Sequence, residues 1–331
     1  MRKLYFLVPG TTGQFGGGGL WAELKTVELA RKICPVEIVT YRQREAEYLF
    51  LQDCLQQPDL DQVIFVISWG FDVAALARTL KPYNVVYHAH SAGYSFSLPA
   101  DMPIITVSRN TMGYWGQKSP NSLIYYLPNQ ISDQFYNQGL KRDIDVLVQA
   151  RKSSQYLLQT LVPALQQQCQ VEVVDYYVED LAALFNRSRI YLYDSAEYWA
   201  VSGVTEGFGL PPLEALACGC QVFSSLNHGL ADYLDPGVNC YKIAGFSVEY
   251  DRQRILQVLR SPNPIALPAT FLDDYRAANI LSKLQMILTE INQFFDCKPA
   301  AMQAIAGLTP ARIAQLRLQK VINKLRKKLK F

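Results

Sequence analysis

Short apolar segments alternate with helical segments along most of the chain, and this alternation restricts the fold more than any other feature of the sequence. Residues 4–8, 36–40 and 63–68 are examples of the apolar segments, and we predict helices between them at residues 20–32 and 46–55. A short, continuous apolar segment is typical of a strand that is buried on both faces, as in a parallel sheet covered by helices. We therefore predict an α/β protein built on parallel sheets.

The alternation occurs twice along the chain. A polar stretch at residues 130–142 separates the first series from the second. The 331 residues fit two domains of ordinary size. We predict two doubly wound domains that face each other across a cleft, at residues 1–135 and 136–300, followed by a basic amphipathic helix at residues 301–331. In such sheets ligands bind at the carboxyl ends of the strands.

The charge is distributed unevenly between the folded body and the C-terminal segment. Of the 32 basic residues eight lie at residues 311–331, where there is no acidic residue, so the remaining 24 face 29 acidic residues. The body is therefore acidic although the whole chain has a net charge of +3. This balance argues against nucleic acid as the main partner of the folded domains.

The cysteine content and the hydropathy of the sequence indicate the cellular compartment of the protein. The seven cysteines are scattered and odd in number, which does not suit a disulfide framework. The chain has no run of roughly 18 apolar residues, the length of a membrane span. Residues 4–8 follow a basic start but are too short for the apolar region of a signal peptide, so we predict a first strand there. We expect a cytoplasmic protein.

Two glutamates, Glu206 and Glu214, lie on either side of a glycine–proline loop at residues 207–212. The glycines allow close approach of the backbone to a ligand, and prolines suit the first turn of a helix. We predict a short helix from Pro212 to a stop at Gly219. The free amide groups ahead of a helix and its dipole favour an anion such as phosphate.

Carboxylates beside a phosphate site are compatible with one ligand that carries both phosphates and hydroxyls. A carboxylate accepts hydrogen bonds from sugar or ribose hydroxyls, and backbone amides bind the phosphates. This combination describes a nucleotide-sugar. The alternative is a proline-started helix whose glutamates simply face the solvent.

The segment TEGFGLPPLEALACGCQV at residues 205–222 closely resembles the donor-binding motif of family 4 glycosyltransferases, roughly E-G-F-G-L-P-x-x-E-A-x-A-C-G-x-P-V. It departs at Gln221, where the family usually has proline. The resemblance covers roughly residues 4–240. It implies a GT-B architecture of two Rossmann-like doubly wound domains, with the acceptor bound mainly by the first and the donor by the second. It also implies that Glu206 holds the hydroxyls of the donor sugar and Glu214 the ribose, while the loop between them contacts the donor through Gly207, Phe208, Gly209 and Leu210.

Two of the three histidines, His88 and His90, lie at the end of a predicted strand. The H-x-H pattern would allow a metal, but we see no clear third ligand and expect none. The resemblance assigns the strand-end histidine to the donor sugar and phosphate, and His90 fits this place best. A purely structural histidine is the alternative.

A run of four glycines follows the first strand. Alone it predicts a phosphate-binding loop only weakly, and a plain turn is as good an interpretation. It also resembles the glycine pair of family 4 enzymes, which closes over the donor phosphates or positions the acceptor. On that ground we expect Gly18 and Gly19 to contact the donor.

Arg151 and Lys152 follow a strand of the second series. Two cations at that end can neutralise a diphosphate leaving group as its charge develops. The family has an arginine here and a lysine about five residues later, whereas the two are adjacent in this chain. The region between Arg151 and Glu206 is also shorter than in the family.

The resemblance implies a retaining, metal-independent hexosyltransferase without a cofactor. The donor is a nucleoside-diphosphate-sugar, and the acceptor is a polysaccharide, a lipid-linked or a small molecule. Glu206, Arg151 and His90 are the candidate catalytic residues, and Lys152 joins the donor-binding set. The altered Arg–Lys spacing keeps a second interpretation open, a degenerate non-catalytic GT-B module that binds a nucleotide-sugar or a protein partner.

Apolar residues recur at helical spacing within residues 311–331, and the basic residues lie largely between them. One hypothesis is an amphipathic helix that binds an anionic membrane surface. The other is a C-terminal helix that crosses back to brace the first domain and ends in a solvated basic segment.

Overall fold

The computed structural model describes residues 1–68, 70–99, 101–243, 245, 247–297 and 308–328. Within these ranges the chain forms two parallel sheets with helices on their faces. The prediction of an α/β protein with two doubly wound sheets is confirmed.

The first sheet has seven strands in the order β3-β2-β1-β4-β5-β6-β7, and its strand pairs are parallel. The strands are β1 (Lys3–Val8), β2 (Val36–Thr40), β3 (Leu49–Phe50), β4 (Val63–Ile67), β5 (Asn84–Ala89), β6 (Ile104–Thr106) and β7 (Ile124–Tyr126). The connecting helices are α1 (Gly18–Ala30), α2 (Leu51–Cys54), α3 (Val73–Thr79) and α4 (Arg109–Lys118).

The second sheet has five parallel strands in the order β12-β11-β10-β8-β9. They are β8 (Ile144–Gln149), β9 (Val171–Val174), β10 (Ser188–Tyr193), β11 (Gln221–Ser224) and β12 (Tyr241–Lys242). A π-helical segment at Leu157–Leu161 leads into α5 (Val162–Gln166), and the later helices are α6 (Leu181–Arg187), α7 (Ala196–Ser202), α8 (Leu210–Ala217), α9 (Val248–Arg260), α10 (Ala277–Cys297) and α11 (Pro310–Lys328).

Continuous apolar strands produce two cores on each sheet. In β1, Leu4 and Phe6 join the buried cluster on one face, and Tyr5 and Leu7 join the cluster on the other. Successive side chains of a strand point to opposite faces, so a run without polar residues needs cover on both sides. The predicted strand at residues 4–8 is confirmed, and it is central to the first sheet.

The strand orders reverse at β1 in the first sheet and at β8 in the second. Crevices form beyond the carboxyl ends of the strands at such reversal points, because the connections on either side lead to opposite faces. The loop after β1 and the segment after β8 therefore lie where ligands of doubly wound sheets bind. The glycine run follows β1, and Arg151 follows β8.

Helix α10 packs on the first sheet. Its buried residues Ile280, Leu284, Ile287 and Ile291 share one cluster with Leu4 of β1. Their spacing of four, three and four residues puts an apolar stripe on one face of the helix. The sequence-based division placed these residues in the second domain (136–300), whereas their side chains contribute to the core of the first sheet.

The structure differs from the predicted helix at residues 46–55. Leu49–Phe50 instead forms the short edge strand β3 beside β2, and only Leu51–Cys54 is helical. Val39 and Thr40 of β2 offer backbone partners to this edge, and such long-range pairing outweighs local helical spacing.

Helix α11 forms within the predicted C-terminal helix at 301–331, of which residues 301–307 and 329–331 lie outside the described ranges. Between residues 313 and 327 only Ile322 is partly buried, and the other side chains are exposed. One hypothesis expected the C-terminal helix to pack against the first domain, but α10 occupies that position instead. No helix within the described ranges combines the length and apolarity of a membrane span.

Candidate functional site

The loop ahead of α8 presents open backbone amides. The helix begins at Leu210, two residues before the predicted start, and its N-cap Gly209 has a φ of 79°. No side chain caps this end, and Pro211 and Pro212 carry no N–H. The amides of Gly209 and Leu210 form no hydrogen bond with a described residue. Uncapped N–H groups at a helix start are a binding site for anions.

Gly207 brings the two halves of the chain into contact. A Cβ atom at this position would lie 1.6 Å from the carbonyl oxygen of His90. Only glycine allows this approach, because any side chain would overlap the backbone of the segment after β5. Nearby, the Thr205 amide donates to the Ala92 carbonyl at 3.1 Å, and the Ala92 amide donates to Thr205 Oγ1 at 2.9 Å. The structure thus places His90 beside the loop of the motif.

The Glu206 carboxylate is held by three donors on one oxygen. Its Oε2 accepts hydrogen bonds from Tyr193 Oη at 2.6 Å, Ser195 Oγ at 3.1 Å and Trp199 Nε1 at 2.7 Å. Oε1 accepts none from any residue in the described part of the chain. Two of the donors lie on β10 and α7, and Ser195 lies between these elements. The carboxylate is therefore fixed in position with one oxygen available.

His228 supports the same loop, although the sequence analysis did not single it out. The Glu206 amide donates to His228 Nδ1 at 3.3 Å, and the Gly229 amide donates to the Glu206 carbonyl at 3.0 Å. The backbone of His228 is left-handed, with a φ of 56°. Its position six residues after the motif segment at 205–222 was the only sequence signal for this residue.

Glu214 has a different environment on α8. Its side chain is 7% exposed and forms no hydrogen bond or ion pair with a described residue. Burial raises the pKa of Glu214 to about 7, and the charge of Lys25 on α1 acts in the opposite direction. Glu206 is also buried, at 4% exposure, so the alternative of two solvent-facing glutamates is wrong.

The Phe208 ring is part of the core, at 2% exposure. It lies 5.3 Å from the ring of Tyr233 and 5.8 Å from that of Tyr275, measured between centroids. Only the backbone of Phe208 is therefore open to the donor contact that the resemblance implies. Leu210 is partly buried at the start of α8.

The side chain of Lys152 lies close to Trp199, one of the three hydrogen-bond donors to Glu206. Its Nζ lies 4.4 Å from the centroid of the Trp199 ring, and its backbone has a φ of 70°. Burial lowers the pKa of Lys152, the charge of Glu206 raises it, and neighbouring Arg151 lowers it. Arg151 is exposed and forms no ion pair with a described residue. Of the two predicted cations, the structure brings Lys152 close to Glu206.

His90 belongs to a buried cluster with His88 and Glu23. Glu23 Oε2 lies 2.5 Å from His88 Nδ1 and 2.8 Å from His90 Nε2. Burial raises the pKa of Glu23, but the charges and hydrogen bonds of the two imidazoles outweigh burial and bring it to about 2. Burial and the charge of His88 lower the pKa of His90, against the opposing hydrogen bond and charge of Glu23.

The expectation that no third group accompanies the H-x-H pattern is wrong, because Glu23 completes a set whose ligand atoms lie within 4.8 Å of one another. The separations of 2.5 and 2.8 Å are those of hydrogen bonds. Two ligands of a tetrahedral zinc ion would be roughly 3.3 Å apart, given Zn–N and Zn–O bonds of about 2.0–2.1 Å. We therefore interpret the three side chains as a hydrogen-bonded cluster, and the absence of a metal stays a prediction.

Gly18 and Gly19 are the first two residues of α1, which has Gly17 as its N-cap and no side-chain cap. A Cβ atom on either glycine would meet no other atom within 4 Å. The start of α1 thus opens into free space, and contact of these glycines with the donor stays a prediction.

The comparisons with known proteins agree with this geometry. Residues 136–268 match the family model described as Glycosyl transferases group 1. A 108-residue stretch is 31% identical to the D-inositol 3-phosphate glycosyltransferase of Mycobacterium avium (strain 104), and the match covers 30% of this chain and 26% of that protein. The chain thus spans about a quarter of the length of this curated relative.

Solved structures resemble the whole architecture. Anabaena Alr3699/HepE in complex with UDP and glucose superimposes with a TM-score of 0.64 at 15% identity, over 88% of this chain and 100% of that chain. A glycosyltransferase from Rickettsia africae ESF-5 gives a TM-score of 0.66 at 13% identity, over 88% and 99% of the two chains. The resemblance to family 4 glycosyltransferases and the predicted GT-B fold are confirmed. Residues 136–268 are similar to the group 1 glycosyl transferases, and the two parallel-sheet domains of the chain have the GT-B fold.

Proposed function

We propose that the protein transfers a hexose-type sugar from a nucleoside-diphosphate-sugar to an acceptor. The observation that carries this proposal is the arrangement around the loop of the motif. A buried carboxylate with one free oxygen, at Glu206, lies next to the open amides of Gly209 and Leu210. Hydroxyl recognition and phosphate recognition are therefore adjacent, as a nucleotide-sugar requires.

The two motif glutamates divide the hydroxyls of the donor between them. Glu206 accepts from the sugar through Oε1, because Oε2 is already occupied by three protein donors. Glu214 accepts from the ribose, and this contact compensates a carboxyl group that has no hydrogen-bond partner among the described residues. The amides at residues 207–210 and the start of α1 at Gly18 and Gly19 face the phosphates.

Arg151 and Lys152 stabilise the nucleoside diphosphate as it leaves. Lys152 is the closer of the two to Glu206, and Arg151 is free to reorient toward an incoming diphosphate. Preorganised cations and amides stabilise charge that develops on the leaving group better than mobile water does. Their combined positive charge supports a reaction that needs no metal ion.

The transfer retains the configuration of the sugar. The acceptor oxygen forms a bond to the anomeric carbon on the face from which the phosphate oxygen departs. That phosphate oxygen takes the proton of the acceptor hydroxyl as the carbon–oxygen bond to phosphate breaks. His90, beside Gly207, contacts the sugar and phosphate during this step.

UDP-glucose is the first donor to test, because the similar Anabaena Alr3699/HepE structure is a complex with UDP and glucose. Slow hydrolysis of UDP-glucose, GDP-mannose and ADP-glucose is measured by chromatography without an acceptor. We expect one donor to be hydrolysed, and Glu206→Gln to reduce the rate by at least about 10²-fold. Glu249→Gln, an exposed glutamate paired with Arg252 on α9, is the matched control and keeps full activity.

Binding of a donor without any hydrolysis, by a chain that also transfers no sugar to an acceptor panel, would instead support the degenerate non-catalytic module. Equal hydrolysis by the wild type and Glu206→Gln would contradict the role assigned to Glu206. The acceptor panel includes a polysaccharide, a polyprenyl-phosphate-linked sugar and a small sugar.

We also infer that the protein is cytoplasmic and binds an anionic membrane surface through α11. Ala314, Leu318, Val321 and Leu325 follow one another at spacings of four, three and four residues and form an apolar face. Lys320, Lys324 and Lys327 lie on the other side of the helix. Pairing with a second copy of α11 would bring like charges together. An anionic membrane instead offers acyl chains to the apolar face and negatively charged headgroups to the basic residues.

Co-sedimentation with phosphatidylglycerol-containing vesicles tests the membrane proposal. We expect Leu318→Gln combined with Leu325→Gln to weaken binding about tenfold or more, since two apolar side chains leave the bilayer. Ile313→Gln with Leu316→Gln is the matched control, because these two apolar residues lie on the basic side of the helix. Equal binding by both double variants, or wild-type binding only to a protein partner, would contradict the proposal.

A further inference from the structure

The buried cluster of Glu23, His88 and His90 joins a helix to the end of a strand. Glu23 lies on α1, His88 is inside β5, and His90 follows β5 directly. The side chains of Glu23 and His88 are each 2% exposed, and that of His90 is 14% exposed. His90 is thus the member of the cluster nearest to solvent, and its carbonyl oxygen touches Gly207.

The hydrogen bonds of Glu23 determine where the ring protons reside. An ionised carboxylate can only accept hydrogen bonds, so both imidazole atoms that face Oε2 must carry a proton. His88 therefore has its proton on Nδ1, and His90 has its proton on Nε2. The two rings thus direct different nitrogens, Nδ1 of His88 and Nε2 of His90, at a single carboxylate oxygen.

The remaining ring nitrogens, Nε2 of His88 and Nδ1 of His90, are both buried without a hydrogen-bond partner among the described residues, but they have different surroundings. His88 lines a small apolar cavity together with Ile64, Val86 and Leu284. Nδ1 of His90 is buried and forms no hydrogen bond with any described residue. Buried polar atoms without a partner are rare in native structures and call for an explanation. A ligand hydroxyl that donates to Nδ1 would supply the missing partner.

We propose that Glu23 is a positioning residue that fixes His90 in the tautomer with a proton on Nε2, so that Nδ1 accepts a hydrogen bond from a ligand hydroxyl beside Gly207. His88 holds Glu23 from the other side and keeps its Oε2 directed at both rings. The identity of the hydroxyl as part of a donor sugar rests on the proposed function, but the tautomer of His90 does not.

Nitrogen-15 NMR of the histidine side chains tests the tautomers directly. The chain has only three histidines, so the rings can be assigned by replacing each in turn. In the wild type we expect His90 to be protonated on Nε2 alone and His88 to carry a proton on Nδ1. The opposite tautomer for His90, or a His90 ring that is protonated on both nitrogens, would overturn the proposal without any need for activity.

Variants at position 23 separate positioning from folding. The amide oxygen of Glu23→Gln can still accept from both rings, so we expect both tautomers to persist. Glu23→Ala removes the acceptor, and we expect His90 to become a mixture of tautomers. Asp72→Asn is the matched control, because Asp72 accepts hydrogen bonds from Tyr41 and Arg42 but contacts neither histidine. Unchanged tautomers in Glu23→Ala would contradict the proposal.

Enzyme kinetics test whether the positioning of His90 by Glu23 affects turnover. In UDP-glucose hydrolysis we expect Glu23→Ala to lower kcat by about 10²-fold, with KM changed by no more than about threefold, and Glu23→Gln to recover most of kcat. If the wild type hydrolyses no donor, the proposed function fails while the NMR result still decides the role of Glu23. If the tautomers are as expected but Glu23→Ala keeps full kcat, positioning by Glu23 is irrelevant to turnover and the proposal is wrong.

Discussion

The two glutamates of the motif share a loop and a degree of burial but differ in what surrounds them. Glu206 receives three hydrogen bonds on Oε2, whereas Glu214 has only the charge of Lys25 to offset its burial. The first carboxylate is thus integrated into the protein structure before any ligand arrives. Burial of the Glu214 carboxylate destabilises the ligand-free protein, as expected for a group whose hydrogen-bond partner is a ligand.

The difference has an energetic consequence. Removal of Glu206 leaves the donors of Tyr193, Ser195 and Trp199 without their shared acceptor in a buried region. Removal of the charge of Glu214 relieves a desolvation cost instead. The same substitution at the two positions should therefore change stability in opposite directions.

The largest effect is expected for Glu206→Ala. Three donors, two of them on buried residues, lose their acceptor, so the free energy of unfolding should fall by about 3–5 kcal/mol. Glu206→Gln retains an acceptor oxygen and should lose about half as much or less. Urea unfolding measures both, and a loss below about 1 kcal/mol for Glu206→Ala would show that the three hydrogen bonds do not form in solution.

Glu214→Gln tests the other side of the comparison through pH. The folded chain holds a proton on Glu214 up to a pKa of about 7, whereas the unfolded chain releases it near 4.5. The folded state therefore binds more protons in this window, and the free energy of unfolding falls as pH rises from about 4.5 to 7. The expected fall is on the order of 3 kcal/mol.

The Glu214→Gln variant should lack this part of the pH dependence and be more stable than the wild type at pH 8. Urea unfolding at a series of pH values gives the difference between the two proteins, so the other carboxyl groups cancel. A wild type and variant with parallel pH profiles would show that Glu214 is solvated or already paired.

The smallest expected effect concerns the lysines near the two glutamates, Lys25 near Glu214 and Lys152 near Glu206. Lys25 lowers the pKa of Glu214, so Lys25→Met should move the midpoint of the Glu214-dependent transition upward by about half a pH unit. Lys152→Met is the matched control, because Lys152 interacts with Glu206 rather than Glu214. A shift of the same size in both variants would show a general charge effect instead of a local one.

Much of the fold could be predicted because the governing signals are local. The central strand at residues 4–8 follows from a continuous apolar run, the strand at 36–40 from a mainly apolar one, and α8 from its glycine–proline start. The edge strand β3 could not be predicted in this way, since two residues carry no periodicity and the pairing with β2 decides their structure.

Spacing alone predicted the site only where its residues lie in one segment, and the family resemblance added His90 and Lys152. Glu206, Glu214 and the loop between them are close in sequence, and spacing alone placed them together. Glu23 lies 65 residues before His88, and nothing in the pattern of α1 distinguishes a buried glutamate from an exposed one. The contact of Gly207 with His90 likewise depends on how the two sheets meet, which no local pattern reports.

Thermal denaturation in the presence of nucleotide-sugars tests the central claim most directly, that the loop between Glu206 and Glu214 binds a nucleotide-sugar donor. At a ligand concentration of about 100 times Kd the folded state gains roughly 2.7 kcal/mol, so Tm should rise by several degrees. We predict that at least one of UDP-glucose, GDP-mannose and ADP-glucose raises the Tm of the wild type and that Glu206→Gln loses most of this shift. No shift with a broad panel of nucleotide-sugars, or an equal shift in Glu206→Gln, would contradict the claim.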